Sequence, residues 1–115
     1  MKEYYRTLDI RIDENDKLKC PIEFTLALIG GKWKSVILWH LSIDGVHRYS
    51  ELRRKMPGIT HKMLSATLKE LELYGFISRK QYNQMPPKVE YKTTEKGYSL
   101  MPIFDLMREW GYNNW

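Results

Sequence analysis

What this chain has little of narrows its function before any motif is found. Cys20 is the single cysteine, which excludes an intramolecular disulfide and fits a reducing compartment. No apolar run approaches the length of a membrane span. Residues 1–19 are dense in charge and lack the apolar stretch of a secretory leader. A cytoplasmic location with no membrane partner is therefore expected. The three histidines, His40, His47 and His61, are scattered without metal-ligand spacing, and no carboxylate pair sits in a glycine-rich setting. Gly30-Gly31 is followed by neither GKS nor GxxG and reads as a helix stop rather than a phosphate cradle. These absences speak against an enzyme and against a metal or other cofactor. At 115 residues the chain has room for one domain and little beyond it.

What is present is positive charge in one place and a generous supply of rings. The net charge is +5, and between Val46 and Lys92 ten Lys and Arg stand against four Glu, so that stretch carries all of it. A local basic field suits a polyanionic partner, although a solvated surface explains charge alone equally well. Four Trp, eight Tyr and three Phe are more than a small domain needs for its own core, and a second copy of the chain is one way to cover them.

The pattern of elements is mostly helical. Residues 1–19 read as an N-terminal arm and 20–115 as the folded domain. Pro21 suits the first position of a short helix running to Gly30. A second helix, from about Lys32 to Ser42, is apolar all round at Val36-Ile37-Leu38-Trp39 and is expected in the core, with Asp44-Gly45 as its stop. Ser50 is the expected cap of a short third helix to about Lys55. Met56-Pro57-Gly58-Ile59 is a tight turn, after which Thr60 caps a longer helix from His61 to about Tyr74. Phe76–Asn83 and Lys88–Thr93 form a hairpin whose tip is stiffened by Pro86-Pro87. Thr94 caps a last helical region that Pro102 kinks or splits.

Helix, tight turn, helix and then hairpin is the constellation that carries function. On the helix from His61, Leu64, Leu68 and Leu71 make one apolar stripe, while Lys62, Ser65, Lys69 and Glu72 make another that is left to face outward. Such a helix fits the major groove of B-DNA, and its N-terminal N–H groups suit a phosphate. Taken alone it reads more readily as an ordinary amphipathic surface helix. The hairpin that follows carries Arg79, Lys80 and Lys88 around its tip with Tyr82 and Asn83, and it reads as a wing able to track the backbone or the minor groove. The fold expected is α+β, mostly α: a winged helix-turn-helix with a three-helix core, a β-hairpin wing, and dimerisation helices at the N- and C-terminal ends.

A series of short strings then matches one family. They are Cys20-Pro21, Ile29-Gly30-Gly31-Lys32-Trp33, Arg48-Tyr49-Ser50-Glu51-Leu52, Pro57-Gly58-Ile59-Thr60-His61-Lys62-Met63-Leu64, Leu68-Lys69-Glu70-Leu71-Glu72, Gly75-Phe76-Ile77, Pro86-Pro87-Lys88-Val89-Glu90-Tyr91, Thr94-Glu95-Lys96-Gly97 and Trp110-Gly111. In this order the chain resembles the HxlR-type winged helix-turn-helix regulators, relatives of the MarR group, over about Cys20 to Trp110. The resemblance implies a homodimer that binds double-stranded operator DNA and represses or activates nearby genes. It implies groove and phosphate contacts from Thr60, His61, Lys62, Ser65 and Lys69, backbone positioning by Arg48, Tyr49 and Ser50, and wing contacts from Lys80, Tyr82 and Lys88. A winged helix used for protein–protein contact is the rival reading, which the cations on helix and wing disfavour.

Two further sets of residues are singled out. Leu100, Ile103, Phe104, Met107, Trp110 and Gly111 follow helical spacing near the last residue, where a segment frays unless it docks, and with Phe24 of the first helix they are the expected two-fold interface. Two-fold symmetry calls for a palindromic operator. Cys20 stands at a helix N-terminus near Lys17 and Lys19, features that favour thiolate over thiol, and some regulators of the resembled family are thiol-based sensors. A small-molecule or electrophilic effector is left open.

Overall fold

The computed structural model describes residues 20–115 together with Glu14. The arm expected over residues 1–19 otherwise lies outside the described residues. Internal contacts gather the chain into two units, Met1–Lys32 and Trp33–Trp115.

The first unit contains helix α1, Pro21–Ile29. Proline at its first position forfeits no hydrogen bond, because that N–H has no partner within a helix anyway. Thr25 Oγ1 donates back to the Pro21 carbonyl at 2.9 Å. At the other end the Gly30 N–H donates to the Leu26 carbonyl at 2.6 Å, an approach so close that a Cβ on residue 30 would fall 2.3 Å from that oxygen.

The second unit begins with α2, Lys34–Asp44, which Gly45 ends at φ 83, a conformation open to glycine. Strand β1, His47–Arg48, leads into α3, Tyr49–Arg54. The turn from Lys55 to Thr60 joins α3 to α4, His61–Leu73. Strands β2, Ile77–Tyr82, and β3, Lys88–Thr93, form the hairpin. Two helices close the chain: α5, Glu95–Tyr98, and α6, Met101–Asn114. Pro102 thus splits the last helical region, and it does so from the first turn of α6, where proline is tolerated. The sheet order is β1-β3-β2, antiparallel throughout, with His47 opposite Tyr91 and Arg79 opposite the same Tyr91 on the other side.

Caps explain most of the boundaries. Thr60 Oγ1 accepts from the Met63 N–H at 3.0 Å, as expected for the start of α4. The helix expected to start behind Ser50 instead starts two residues earlier, with Arg48 as its N-cap, and Ser50 lies inside α3. The Glu51 carboxylate accepts from the Arg48 N–H at 2.9 Å, so the N3 acid rather than a cap hydroxyl fixes this end. The HTH turn is held by Gly58 at φ 92 and by Met56 and Ile59, which are buried on either side of it.

The core sits where α2, α4 and the sheet meet. Ile37, Leu38 and Leu41 of α2, Leu52 of α3, Leu64 and Leu71 of α4 are fully buried, with Leu68 and Phe76 beside them. Each contributes on the order of 2 kcal/mol of apolar transfer free energy. Ser42 Oγ lies 3.0 Å from Thr93 Oγ1 and links α2 to β3. Thr94 works twice: its hydroxyl donates to the Gly75 carbonyl at 2.6 Å and accepts from the Gly97 N–H at 3.1 Å. Gly97 is required there, since a Cβ would stand 2.3 Å from the Phe76 carbonyl oxygen and 2.6 Å from Thr93 Cγ2. Gly97→Ala is expected to destabilise the fold by about 2 kcal/mol or more, because one obstacle is the backbone of buried Phe76, just before β2, and the other is the side chain of buried Thr93 in β3. Urea denaturation of the two proteins checks this through the shift in midpoint at constant slope.

Candidate nucleic-acid interface

The leucine stripe decides which side of α4 is left for a ligand. Leu64, Thr67, Leu68 and Leu71 are buried, so His61, Lys62, Lys69 and Glu72 are exposed and Ser65 is half-buried. The hairpin then encloses part of this outer surface. A groove of about 420 Å³ runs between α4 and the sheet, lined by His61, Ser65, Leu68, Lys69 and Glu72 from α4, Tyr49 from α3, and Arg79, Val89 and Tyr91 from the hairpin. Of the row read in the sequence, Ser65, Lys69 and Glu72 share this groove, with His61 in place of Lys62. Lys62 is exposed on the first turn of α4, outside the groove lining. Thr60 is exposed too, but its hydroxyl is occupied in capping.

Tyr49 fastens the two helices of the motif together at their N-terminal ends. Its hydroxyl donates to the His61 carbonyl at 3.2 Å and meets His61 Nδ1, while the two rings stand edge to face at 5.1 Å. Arg48 and Ser50, the other residues expected at the start of α3, are both exposed.

The wing sorts its charges by strand alternation. Lys80 pairs with Glu90 and Tyr82 with Lys88, so these four side chains share one face. The ammonium groups of Lys80 and Lys88 each lie 4.8 Å from the centre of the Tyr82 ring, and Lys88 Nζ is 3.7 Å from the Glu90 carboxylate. A hydrogen bond from Tyr82, then the charges of Lys88, Arg48 and Lys80, hold the Glu90 carboxyl below its usual range. Arg79 lies on the opposite face, with Tyr91 and the α4 groove. The sequence reading places Arg79 near the wing but leaves it out of the contact set. Counting alternate residues from the buried Ile77 would have put it on the helix side.

Beneath the motif lies a second polar cluster with a structural role. His47 is buried; its Nδ1–H donates to the Gly45 carbonyl at 2.6 Å and its Nε2 accepts from Lys55 Nζ at 2.6 Å. Lys55 also donates to Asp44 Oδ2 at 2.8 Å. One of the three cations at the end of α3 is therefore tied down. His40 Nδ1 approaches the same carboxylate at 3.7 Å, an ion-pair distance but too long for a hydrogen bond, and has no hydrogen-bond partner. Among the described residues no group of three metal-binding side chains occurs.

The interface residues expected in the last helix divide. Leu100, the N-cap of α6, and Phe104 within it are buried in the second unit itself, where α6 packs on α2. That corrects their assignment to a two-fold surface. Ile103, Met107 and Trp110 remain exposed, joined by Leu106, Tyr112 and Trp115. Beside them a concavity of about 390 Å³ is lined by Val36 and Trp39 of α2 and Phe104, Met107, Tyr112 and Trp115 at the C-terminal end. Phe24 lies in α1, in the first unit.

A tri-helical core, a capped helix with a polar outer face and a charged hairpin beside it define a winged helix-turn-helix transcriptional regulator. The HxlR-like helix-turn-helix family matches residues 28–115, and the chain belongs to that family. The regulatory protein MalR of Fusobacterium mortiferum is 57% identical over 105 residues, covering 91% of this chain and 99% of its own. The HTH-type transcriptional regulator YybR of Bacillus subtilis is 52% identical over 99 residues, covering 86% of this chain and 78% of its own. Among solved structures, the redox regulator HypR in its oxidized form matches with a TM-score of 0.79 at 52% identity, covering 84% of this chain and 98% of that chain. The chain is thus a regulator of transcription and not an enzyme. No helix among the described residues is long and apolar enough to cross a membrane.

The His40 ring is held neutral in the fold, first by burial and then by the charge of Lys55, against the pull of Asp44; its pKa is lowered from the ordinary histidine value of 6.5. The unfolded chain therefore binds more protons just below that value, and stability is full above about pH 6.5 and falls as the solution is acidified through the folded-state pKa. Denaturation of the parent and of His40→Gln from pH 8 to pH 5 is expected to show a shallower loss in the variant.

Proposed function

We propose that two copies of this chain associate in the cytoplasm and lay their α4 helices into successive major grooves of a palindromic operator duplex. One observation carries this reading: His61, Ser65, Lys69 and Arg79 line one open groove beside a helix that Leu64, Leu68 and Leu71 hold from behind. In this reading Ser65, His61 and Lys69 reach base edges or nearby phosphates. Thr60 acts through the helix N-terminus it organises, where Lys62 and the first N–H groups meet a phosphate. Arg48, Tyr49 and Ser50 position the neighbouring backbone, and Arg79 joins them from the inner face of the hairpin. Lys80, Tyr82 and Lys88 bring the outer face of the wing to the strand beyond.

The exposed apolar row Ile103, Met107 and Trp110, extended by Leu106, supports association with a second copy, which would cover indole and aliphatic surface otherwise left in water. Phe24 would add to it from α1. A small-molecule effector would find its seat in the apolar concavity between α2 and α6. HypR is a redox regulator by name, and a thiol response is proposed here for Cys20, a free cysteine at the N-cap of α1. With one cysteine per chain the response would take the form of an intersubunit disulfide, a mixed disulfide or alkylation.

Lys62→Ala is expected to weaken binding to every duplex and to lower the slope of log K against log salt by about one unit. A titration series from low to high salt reads this directly, and an unaltered slope removes Lys62 from the phosphate contacts. Trp110→Glu is expected to shift the solution mass from two chains to one and to weaken operator binding together with it; light scattering and gel shift measure the pair. A parent protein that is monomeric while binding its operator tightly would refute the two-fold arrangement.

A further inference from the structure

The Tyr49–His61 contact restricts what the start of α4 can read. The phenol has a single proton and the His61 carbonyl oxygen can only accept. Tyr49 Oη stands 3.2 Å from that carbonyl oxygen and is also in hydrogen-bond contact with His61 Nδ1. Only one assignment places a proton in both contacts: Oη–H donates to the carbonyl, and Nδ1–H donates to Oη. The reverse choice, with Oη–H aimed at Nδ1, leaves two oxygens facing each other at 3.2 Å with no proton between them. The edge-to-face packing of the rings at 5.1 Å keeps the imidazole in this orientation.

We propose that Tyr49 locks neutral His61 in its Nδ1–H tautomer, so that Nε2 is offered from the first turn of α4 as a hydrogen-bond acceptor for a base amino group. In the major groove that selects adenine N6 or cytosine N4, and it disfavours guanine and thymine, whose groove edges offer acceptors at the corresponding place. A histidine free of Tyr49 would populate the Nε2–H form and read the opposite set, since the partner of one ring nitrogen decides the state of the other. The charged and titratable groups that share the groove with it are Tyr49 from α3, Lys69 and Glu72 from α4, Arg79 from β2 and Tyr91 from β3. The tautomer lock stands on the geometry alone, whereas the base-reading role rests on the duplex-binding reading above.

Two measurements separate these layers. Long-range proton–nitrogen correlation spectra of the free protein at about pH 8 report the ring tautomer without DNA. The expected result is Nδ1–H for His61 in the parent and Nε2–H in Tyr49→Phe; Nε2–H in the parent overturns the lock. Selection of duplexes from a randomised library at about pH 8 then reads base preference. His61→Ala is expected to lose a preference for adenine or cytosine at one base pair per half-site, by about three- to tenfold, as fits one hydrogen bond. Duplex binding with the preference intact in His61→Ala overturns the base-reading role while leaving the duplex reading standing. A parent that binds no duplex at low salt overturns both.

Discussion

The whole surface depends on burying one side of α4. Leu64, Leu68 and Leu71 occupy a single stripe, and the fully buried Ile37, Leu38 and Leu41 of α2 receive it. Removing one of these leucines would cost about 2–5 kcal/mol, a large share of what a domain this size has in reserve. Because a helix turns about 100° per residue, fixing that stripe fixes every other residue on α4 as well. Ser65 and Lys69 are left to the hairpin side, where Leu68 forms the floor of the groove they line. The polar groove is in this sense a by-product of the apolar core, and its geometry is as rigid as the packing behind it.

The hairpin adds a second constraint of the same kind with a period of two. Ile77 and Thr93 are buried opposite each other at its base, which sets the parity of both strands. Arg79, Val89 and Tyr91 must then turn toward α4, and Lys80, Tyr82, Lys88 and Glu90 must turn away. Each face consequently has its own chemistry. The inner face offers a guanidinium beside aromatic and aliphatic surface. The outer face holds two ammonium groups about one phenol ring with a carboxylate alongside, so part of its positive charge is already balanced.

Most of the architecture was legible in the sequence, because it is written in local signals. The Leu64–Leu68–Leu71 spacing, the Thr60 and Thr94 caps, Gly75 and the Pro86-Pro87 tip all act within a few residues of themselves, and the elements fall where these place them. The start of α3 was misplaced because two capping devices compete there. A serine hydroxyl at position 50 lost to the Glu51 carboxylate reaching back to Arg48. The site was less legible, since its members come from four separated elements. That His61 rather than Lys62 shares the groove with Ser65 depends on the angle between α4 and the sheet. That Leu100 and Phe104 turn inward depends on how α6 lies on α2. Periodicity identifies a stripe, but packing decides which stripe is covered.

The same distinction applies to charge. The central stretch holds the entire positive excess of the chain, yet its cations are not equivalent as phosphate ligands. Lys55 is committed to Asp44 and His47, and Lys88 shares Glu90. Just outside the stretch Lys96 donates to the Tyr74 carbonyl at 2.6 Å and Lys34 pairs with Glu70 at 3.2 Å, so these serve the fold. Lys62, Lys69 and Arg79 are exposed and make no ion pair among the described residues. A polyanion that binds here meets them without first displacing a carboxylate, whereas contact at Lys88 must compete with Glu90. Affinity should therefore be concentrated on the outer side of α4 and the inner face of the wing, while on the outer face of the wing the contribution of Lys88 depends on what neutralises or repels Glu90.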